Sequence, residues 1–417
     1  MTPHATDLQQ GHATPGGSFE RDVCESTGLI RDRFSKIIEA KCPGCRAVSS
    51  LADAFAIHRK LAWQVGKVAY AEDPFTAARH MPSARGIESW FAAAREKGVS
   101  AELIESAREA WARFEALSGR HAANQAEFEM LLESCSGDDD DATEIRWRQQ
   151  AFHGNSFIWG ARCRTLLALT VLMPSEDTER HFHAVQVRGL FGYRQTRPGV
   201  RWIVNQSVVT DDHAATRDTL QRVPLDPEGA AAHAGVPLLP AFCSDPVPAL
   251  ERRRTLDGML HDEFAPGPVG LSGERTLVTG EIIRNIGPVH ATADDRVAHF
   301  GSAVRTPAER LHLDLLVAEG LFGDVAREAV VFSDLTSPVA FGDEHELRTS
   351  ARVTRLGRGL GMSQTPDIPG YAGLCDAVCG LAGIDPAGYE LFRISLEYPP
   401  VPTTVMVRHP LLEPDAF

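Results

Sequence analysis

Four consecutive aspartates, Asp138 to Asp141, stand in the stretch Ser-Cys-Ser-Gly-Asp-Asp-Asp-Asp-Ala from Ser134 to Ala142. A block of like charge repels itself and stays in water, so no hydrophobic core runs through it. The run lacks the alternating ligands, glycine and distal Glu of a calcium loop. It therefore predicts two bodies, residues 18–135 and 151–417, joined by an acidic linker over 136–150. A chain of 417 residues has room for that division.

The hydrophobic period differs on the two sides. Before the tract, residues 28–134 read as helix with short breaks. Leu29, Phe34, Ile37 and Ile38 mark a first amphipathic helix that ends near Cys42-Pro43-Gly44. Ser50-Leu51-Ala52-Asp53 has the Ser-x-x-Asp form of a helix start. Another helix starts at Met81-Pro82-Ser83 and stops at Gly98. From Ser100 a single long helix is expected to reach Glu133. Its stripe of Leu103, Ala107, Ala110, Phe114, Leu117, His121, Asn124, Phe128 and Leu131 steps by four and three, the form of a heptad seam. Such a seam predicts packing along another helix, in its own domain or in a second copy of the chain. A homodimer through residues 100–133 is thus one expected partnership.

After the tract, strands and helices mix without regular alternation, so the fold class is α+β rather than a doubly wound sheet. Thr165–Met173 and Ala184–Phe191 read as two strands joined by a polar loop, Val200–Val209 as a third and Thr276–Ile283 as a fourth. Val330–Phe332, Leu347–Val353 and Val405–Val407 are shorter strands. Pro307–Phe322, with Leu311, Leu315 and Leu316, reads as a helix, and Gly370–Ala382 as another.

Composition narrows the class of protein. The 43% hydrophobic content is ordinary for a globular chain, and no apolar run approaches the ~18 residues that cross a bilayer. The first 17 residues lack the basic and apolar stretches of a secretory signal and read as a disordered tail. Eight cysteines without framework spacing point to reduced thiols and a cytoplasmic location. The net charge of −14 opposes nucleic-acid binding by the chain as a whole. From Ser18 to Phe75, however, nine Lys/Arg face eight Asp/Glu, so the excess acid lies elsewhere.

Residues 51–66, Leu-Ala-Asp-Ala-Phe-Ala-Ile-His-Arg-Lys-Leu-Ala-Trp-Gln-Val-Gly, carry the one functional motif. The segment resembles the core of helix-turn-helix DNA-binding proteins. Leu51 and Ala52 match its opening, Phe55 its apolar position, Ile57 the apolar residue after the turn, and Leu61, Ala62 and Val65 the inward side of the second helix. Ala56 stands where the turn glycine is usual, and His58 where Ser or Thr would cap. The resemblance implies duplex DNA as a partner, with Arg59, Lys60, Gln64 and Lys67 facing it, and it implies a transcriptional regulator whose second domain senses or oligomerises. Gln suits adenine, while Lys and Arg read guanine or grip phosphate. The competing expectation is an enzyme or small-molecule-binding protein acting through residues 151–417, with the helical region as a docking module.

Other constellations carry less. Cys42-Pro43-Gly44-Cys45 lacks a second pair for zinc and reads as a helix-ending turn with two incidental thiols. His181 and His183, with His290, Asp294, Asp295 and His299, read as surface residues rather than a metal site. Gly357, Gly359 and Gly361 fit neither phosphate-loop spacing. Cys375 and Cys379 are expected to face a core, and the segment from Phe152 to Arg164 to begin the second domain's core. No catalytic residue, metal or cofactor is assigned.

Overall fold

The computed structural model describes residues 18–135, 141–208, 222–254, 259–293, 295–335 and 342–414. The expected tail over residues 1–17 lies outside them. Two compact units divide at Asp140/Asp141.

The first unit has helices and no strands among its described residues. Helix α1, Phe19–Lys41, starts on Ser18, whose hydroxyl accepts from the Arg21 amide, and places Glu20 and Asp22 against the positive end of its dipole. Val23, Thr27, Ile30, Phe34, Ile37 and Ile38 form its buried stripe, while Leu29 is exposed. Helix α2, Val48–Phe55, begins two residues before Ser50, with Ala47 at the cap. The Ser-x-x-Asp signal thus lies inside the helix. Helices α3, Arg59–Tyr70, and α4, Pro74–Arg79, follow. Helix α5, Ala84–Glu96, is capped by Ser83 as its sequence predicts, and it buries Trp90 between Phe55 and Phe34.

The expected helix over 100–133 is instead two, α6, Ala101–His121, and α7, Gln125–Cys135. Ala122 turns extended. Asn124 then restarts the chain: its Oδ1 accepts from the Glu127 amide, and Glu127 reaches back to the Ala123 amide. This reciprocal capping satisfies backbone donors that a continuous helix would have used internally. The stripe's Ala107, Ala110, Phe114, Leu117 and Phe128 are buried in the unit's own core, against α1 and neighbouring helices. The structure gives the expected homodimer seam over 100–133 no support, because a single chain already covers it.

Cys42 and Cys45 form a disulfide across the turn that ends α1, where the sequence reading has free thiols. That turn brings their Cα atoms to 5.4 Å, within disulfide reach.

The second unit is α+β. It opens with α8, Asp141–Trp159. Residues 141–150 are therefore helix rather than linker, and 136–140 lie outside the described residues. Strands β1, Ala161–Pro174, and β2, His181–Gln195, form the expected antiparallel pair. Then come β3, Trp202–Val208; β4, Arg222–Pro224; α9, Pro227–Ala232; β5, Leu250–Arg254; and β6, Met259–Phe264. The chain continues through β7, Arg275–Pro288; β8, Val297–Val304; β9, Ala308–Ala318; β10, Glu328–Ser333; β11, Glu346–Leu347; and β12, Thr354–Arg358. It closes with α10, Tyr371–Ala382; β13, Tyr389–Glu397; and β14, Thr403–Pro410.

Seven strands form the main sheet in the order β12-β13-β9-β1-β2-β7-β4, with smaller sheets β11-β10-β14-β8 and β3-β6-β5. Residues 308–318, expected to be helical, are the interior strand β9, parallel to β1 and antiparallel to β13. Leu311 to Ala318 are all buried, so both faces are apolar and the period of two disappears. The leucines at 311 and 315 match a helical spacing by accident. Of the expected strand 347–353, only Leu347 pairs, in β11 with Glu346 before it, and residues 348–353 pair with no described strand. Main and four-stranded sheets share one core with α10, including the expected inward Cys375 and Cys379. Among the described residues no helix is long and apolar enough to cross a membrane.

Candidate nucleic-acid interface

Helices α2 and α3 meet at a tight turn. The Ile57 amide bonds to the Ala52 carbonyl and the Ala56 amide to the Asp53 carbonyl, the paired bonds of a Schellman ending. Ala56 lies in the left-handed region, φ 55° and ψ 43°, where glycine is the unstrained residue. His58 starts α3, its Nδ1 accepting from the Lys60 amide at 3.2 Å, so imidazole does the capping done elsewhere by a hydroxyl. Close crossing is kept by small residues: a Cβ on Gly66 would lie 3.2 Å from Leu51 Cδ1.

Replacing the exposed Ala56 with Gly removes the left-handed penalty and loses no contact. We expect the first unit to gain about 0.5–1 kcal/mol, the remainder after glycine's larger unfolded entropy. A urea midpoint unchanged or lowered would count against the strain.

Ala62, Val65, Val68 and Ala69 bury the inner side of α3. The outer side carries all four residues singled out from the sequence. Arg59, Lys60 and Lys67 are exposed, and Gln64 is half-buried. Arg59, Trp63 and Lys67 stand one above another at four-residue steps. No acidic residue occurs in α3, and among the described residues Arg59, Lys60 and Lys67 make no ion pair. Two cations at the positive end of a helix dipole are not stabilised by the helix itself, so their field is available to an anion. Trp63, 40% exposed, meets the His80 ring at 4.9 Å. Burial, then the charges of Arg79 and Lys67, push the His80 pKa down.

The remaining candidates do not form a site. His183 is buried, its Nδ1 accepting from the Asn285 amide, and burial lowers its pKa. His299 is on β8 against Phe332, also with its pKa lowered by burial. These two are thus partly or wholly enclosed rather than surface residues. Asp294 is outside the described residues, and among those described no group of three His, Cys, Asp or Glu could hold a metal. Gly357, at a bulge within β12, and Gly359, just after that strand, have positive φ, with no helix until Tyr371.

Two features escaped the sequence reading. One is a buried ionic network on β9 and β13. Arg393 grips the fully buried Asp314 with Nε and Nη2, each at 2.7 Å, Tyr371 donates to the same carboxylate at 2.9 Å, and His312 Nε2 lies 3.3 Å away. Burial opposes charge on Asp314, but the Arg393 hydrogen bonds and the nearby His312 ring outweigh it and hold the carboxyl below its usual range. The other is a cavity of about 1070 Å³ in the second unit, beside β2 and β3. Trp159, from the aromatic segment that closes α8, lines it, while Phe152 enters the core and Phe157 is exposed.

No protein-family model matches the chain, and no curated protein matches it. One solved structure, a candidate protease from Parabacteroides distasonis ATCC 8503, overlaps 60% of this chain at 9% identity and a TM-score of 0.21. The overlap spans 40% of that structure's length. A likeness so slight carries no argument about fold or activity.

Proposed function

We propose that this protein is a DNA-binding transcriptional regulator, with α3 as the helix presented to the major groove and the second unit as its sensory or oligomerising part. The observation that supports it is the outward face of α3: three exposed, unpaired cations and Gln64, with no acidic residue, beside a two-helix crossing of the right compactness. Arg59 and Lys60 occupy the first turn, from which base edges are reached. Lys67, two turns on, suits a phosphate. Work on DNA of this kind fits a cytoplasmic location, and the six cysteines outside the Cys42–Cys45 bond are free.

The test is a salt titration of duplex binding by the full chain and by Arg59→Ala/Lys60→Ala. The double variant is expected to bind more weakly and to flatten the salt dependence by about one unit for each phosphate contact removed. Loss of a base contact would instead cost about 1–3 kcal/mol and relax preference at one position. The net charge of −14 makes low salt the favourable condition. If the full chain binds no duplex more tightly than about 10⁻⁴ M at low salt, the proposal is wrong. The cavity favours a second reading, that the chain binds a small molecule through its second unit.

A further inference from the structure

The cavity beside β2 and β3 has a marked chemical character. Among the described residues its lining contains four arginines, Arg188, Arg197, Arg201 and Arg305, and no Asp or Glu. A volume of about 1070 Å³ is ample for a small molecule.

Arg188 is the unusual member. Its guanidinium donates to Ser302 Oγ and to Gln186 Oε1, both neutral, and among the described residues no carboxylate bonds to it. Arg188 is exposed, and the surface it presents is part of the cavity wall. Glu281, whose charge acts on Arg188, is engaged by Arg222. Arg305 and Arg222 add further positive charge nearby. A cation in the cavity wall whose hydrogen-bond partners are both neutral leaves its charge for an anion in the cavity. Arg201 differs, since it already pairs with Glu251. Arg197 makes no ion pair among the described residues and is exposed at the turn before β3.

Beside the polar Asn205, Thr279, Ser302 and Thr306, the wall carries large apolar side chains. Trp159 and Ile203, 49% and 47% exposed, are large side chains that gain by being covered. Trp202 is fixed by a bond from its Nε1 to Thr306 Oγ1 at 2.9 Å, and Leu166 and Leu190 continue the surface.

We infer that this cavity binds an anionic amphiphile, a carboxylate or phosphate head on an apolar body. Arg188, with Arg197 at the mouth, takes the head, while Trp202, Ile203 and Leu190 cover the body. The inference does not rest on DNA binding, since every residue it uses lies in the second unit.

The experiment is calorimetric titration of the full chain with decanoate, decyl phosphate, 1-decanol and decyltrimethylammonium, each below its micelle concentration. One or both anions should bind as a single equivalent, at least about tenfold more tightly than the cation of equal chain length. The better anion distinguishes a carboxylate from a phosphate ligand. Arg188→Gln should weaken that anion about tenfold or more, the range for losing a charge-assisted hydrogen bond, and leave 1-decanol unchanged. Should Arg188→Gln fail to fold, Arg197→Gln, at an exposed position, should still weaken the anion several-fold. Equal binding of cation and anions, absence of binding by either anion, or wild-type anion affinity in the folded variants would each overturn the inference.

Discussion

Arg393→Met is expected to destabilise the second unit by about 3–5 kcal/mol, the usual cost of removing one partner from a buried ion pair. Asp314, fully buried on β9, would keep the Tyr371 hydroxyl but lose both guanidinium bonds. The same substitution releases the Ser363 carbonyl, which accepts from Arg393 Nη2 at 2.6 Å and ties the segment before α10 to the sheet. Acid should narrow the gap between variant and wild type. In the wild type the Asp314 pKa is depressed, so its stabilisation is present above the unfolded carboxyl value near ~3.9 and is lost as pH falls through the folded value. In the variant, burial without the cation raises that pKa, so lowering the pH relieves the penalty. Asp314→Leu/Arg393→Met should lie well above Arg393→Met alone, because the desolvated charge has gone. Urea-dependent hydrogen exchange, read peptide by peptide over β9 and β13, measures all three. A cost under about 1 kcal/mol, the range for an exposed pair, would show that Asp314 is solvated or neutral.

Phe114→Ala should cost the first unit about 3–5 kcal/mol. Phe114 is 5% exposed and meets Phe128 on α7 edge-on at 5.9 Å, with Trp111 at the same distance. The ring thus joins α6 to α7 across the break at Ala122–Asn124, and truncation leaves a cavity where the two helices meet. Exchange should speed first in α7, which buries only Phe128 and Leu132. Trp111→Ala, from a partly buried position, should cost less. If Phe114→Ala changes the urea midpoint no more than Trp111→Ala does, the stripe is not core, and its role in partnering another chain returns to consideration.

These two sites show where sequence reading works and where it stops. The α2–α3 turn was legible because each requirement is local: Leu51, Ala52 and Phe55 fall on one side of a short helix, and His58 lies beside the amide it caps. The basic face of α3 was legible for the same reason, since four-residue steps put Arg59, Trp63 and Lys67 together. The restart at Asn124 also had a local signal, Asn-x-x-Glu, which the heptad continuing through Asn124 concealed.

By itself, the sequence determined the division at the aspartate run, the helical character of residues 18–135, the β1–β2 pair and the outward residues of α3. Each depends on contacts within a few positions or on a charge block that water must surround. Tertiary structure alone decided that residues 308–318 are a strand, because burial of both faces erases the alternation by which a strand is recognised. It likewise decided the pairing of Asp314 with Arg393, 79 residues apart, through the register of β9 on β13. The arginine-lined cavity belongs to the same category. Arg188 is on β2, Arg197 and Arg201 in the turn before β3, and Arg305 just after β8. No local period links those positions, and they share a wall only because strands distant in sequence pack around one space.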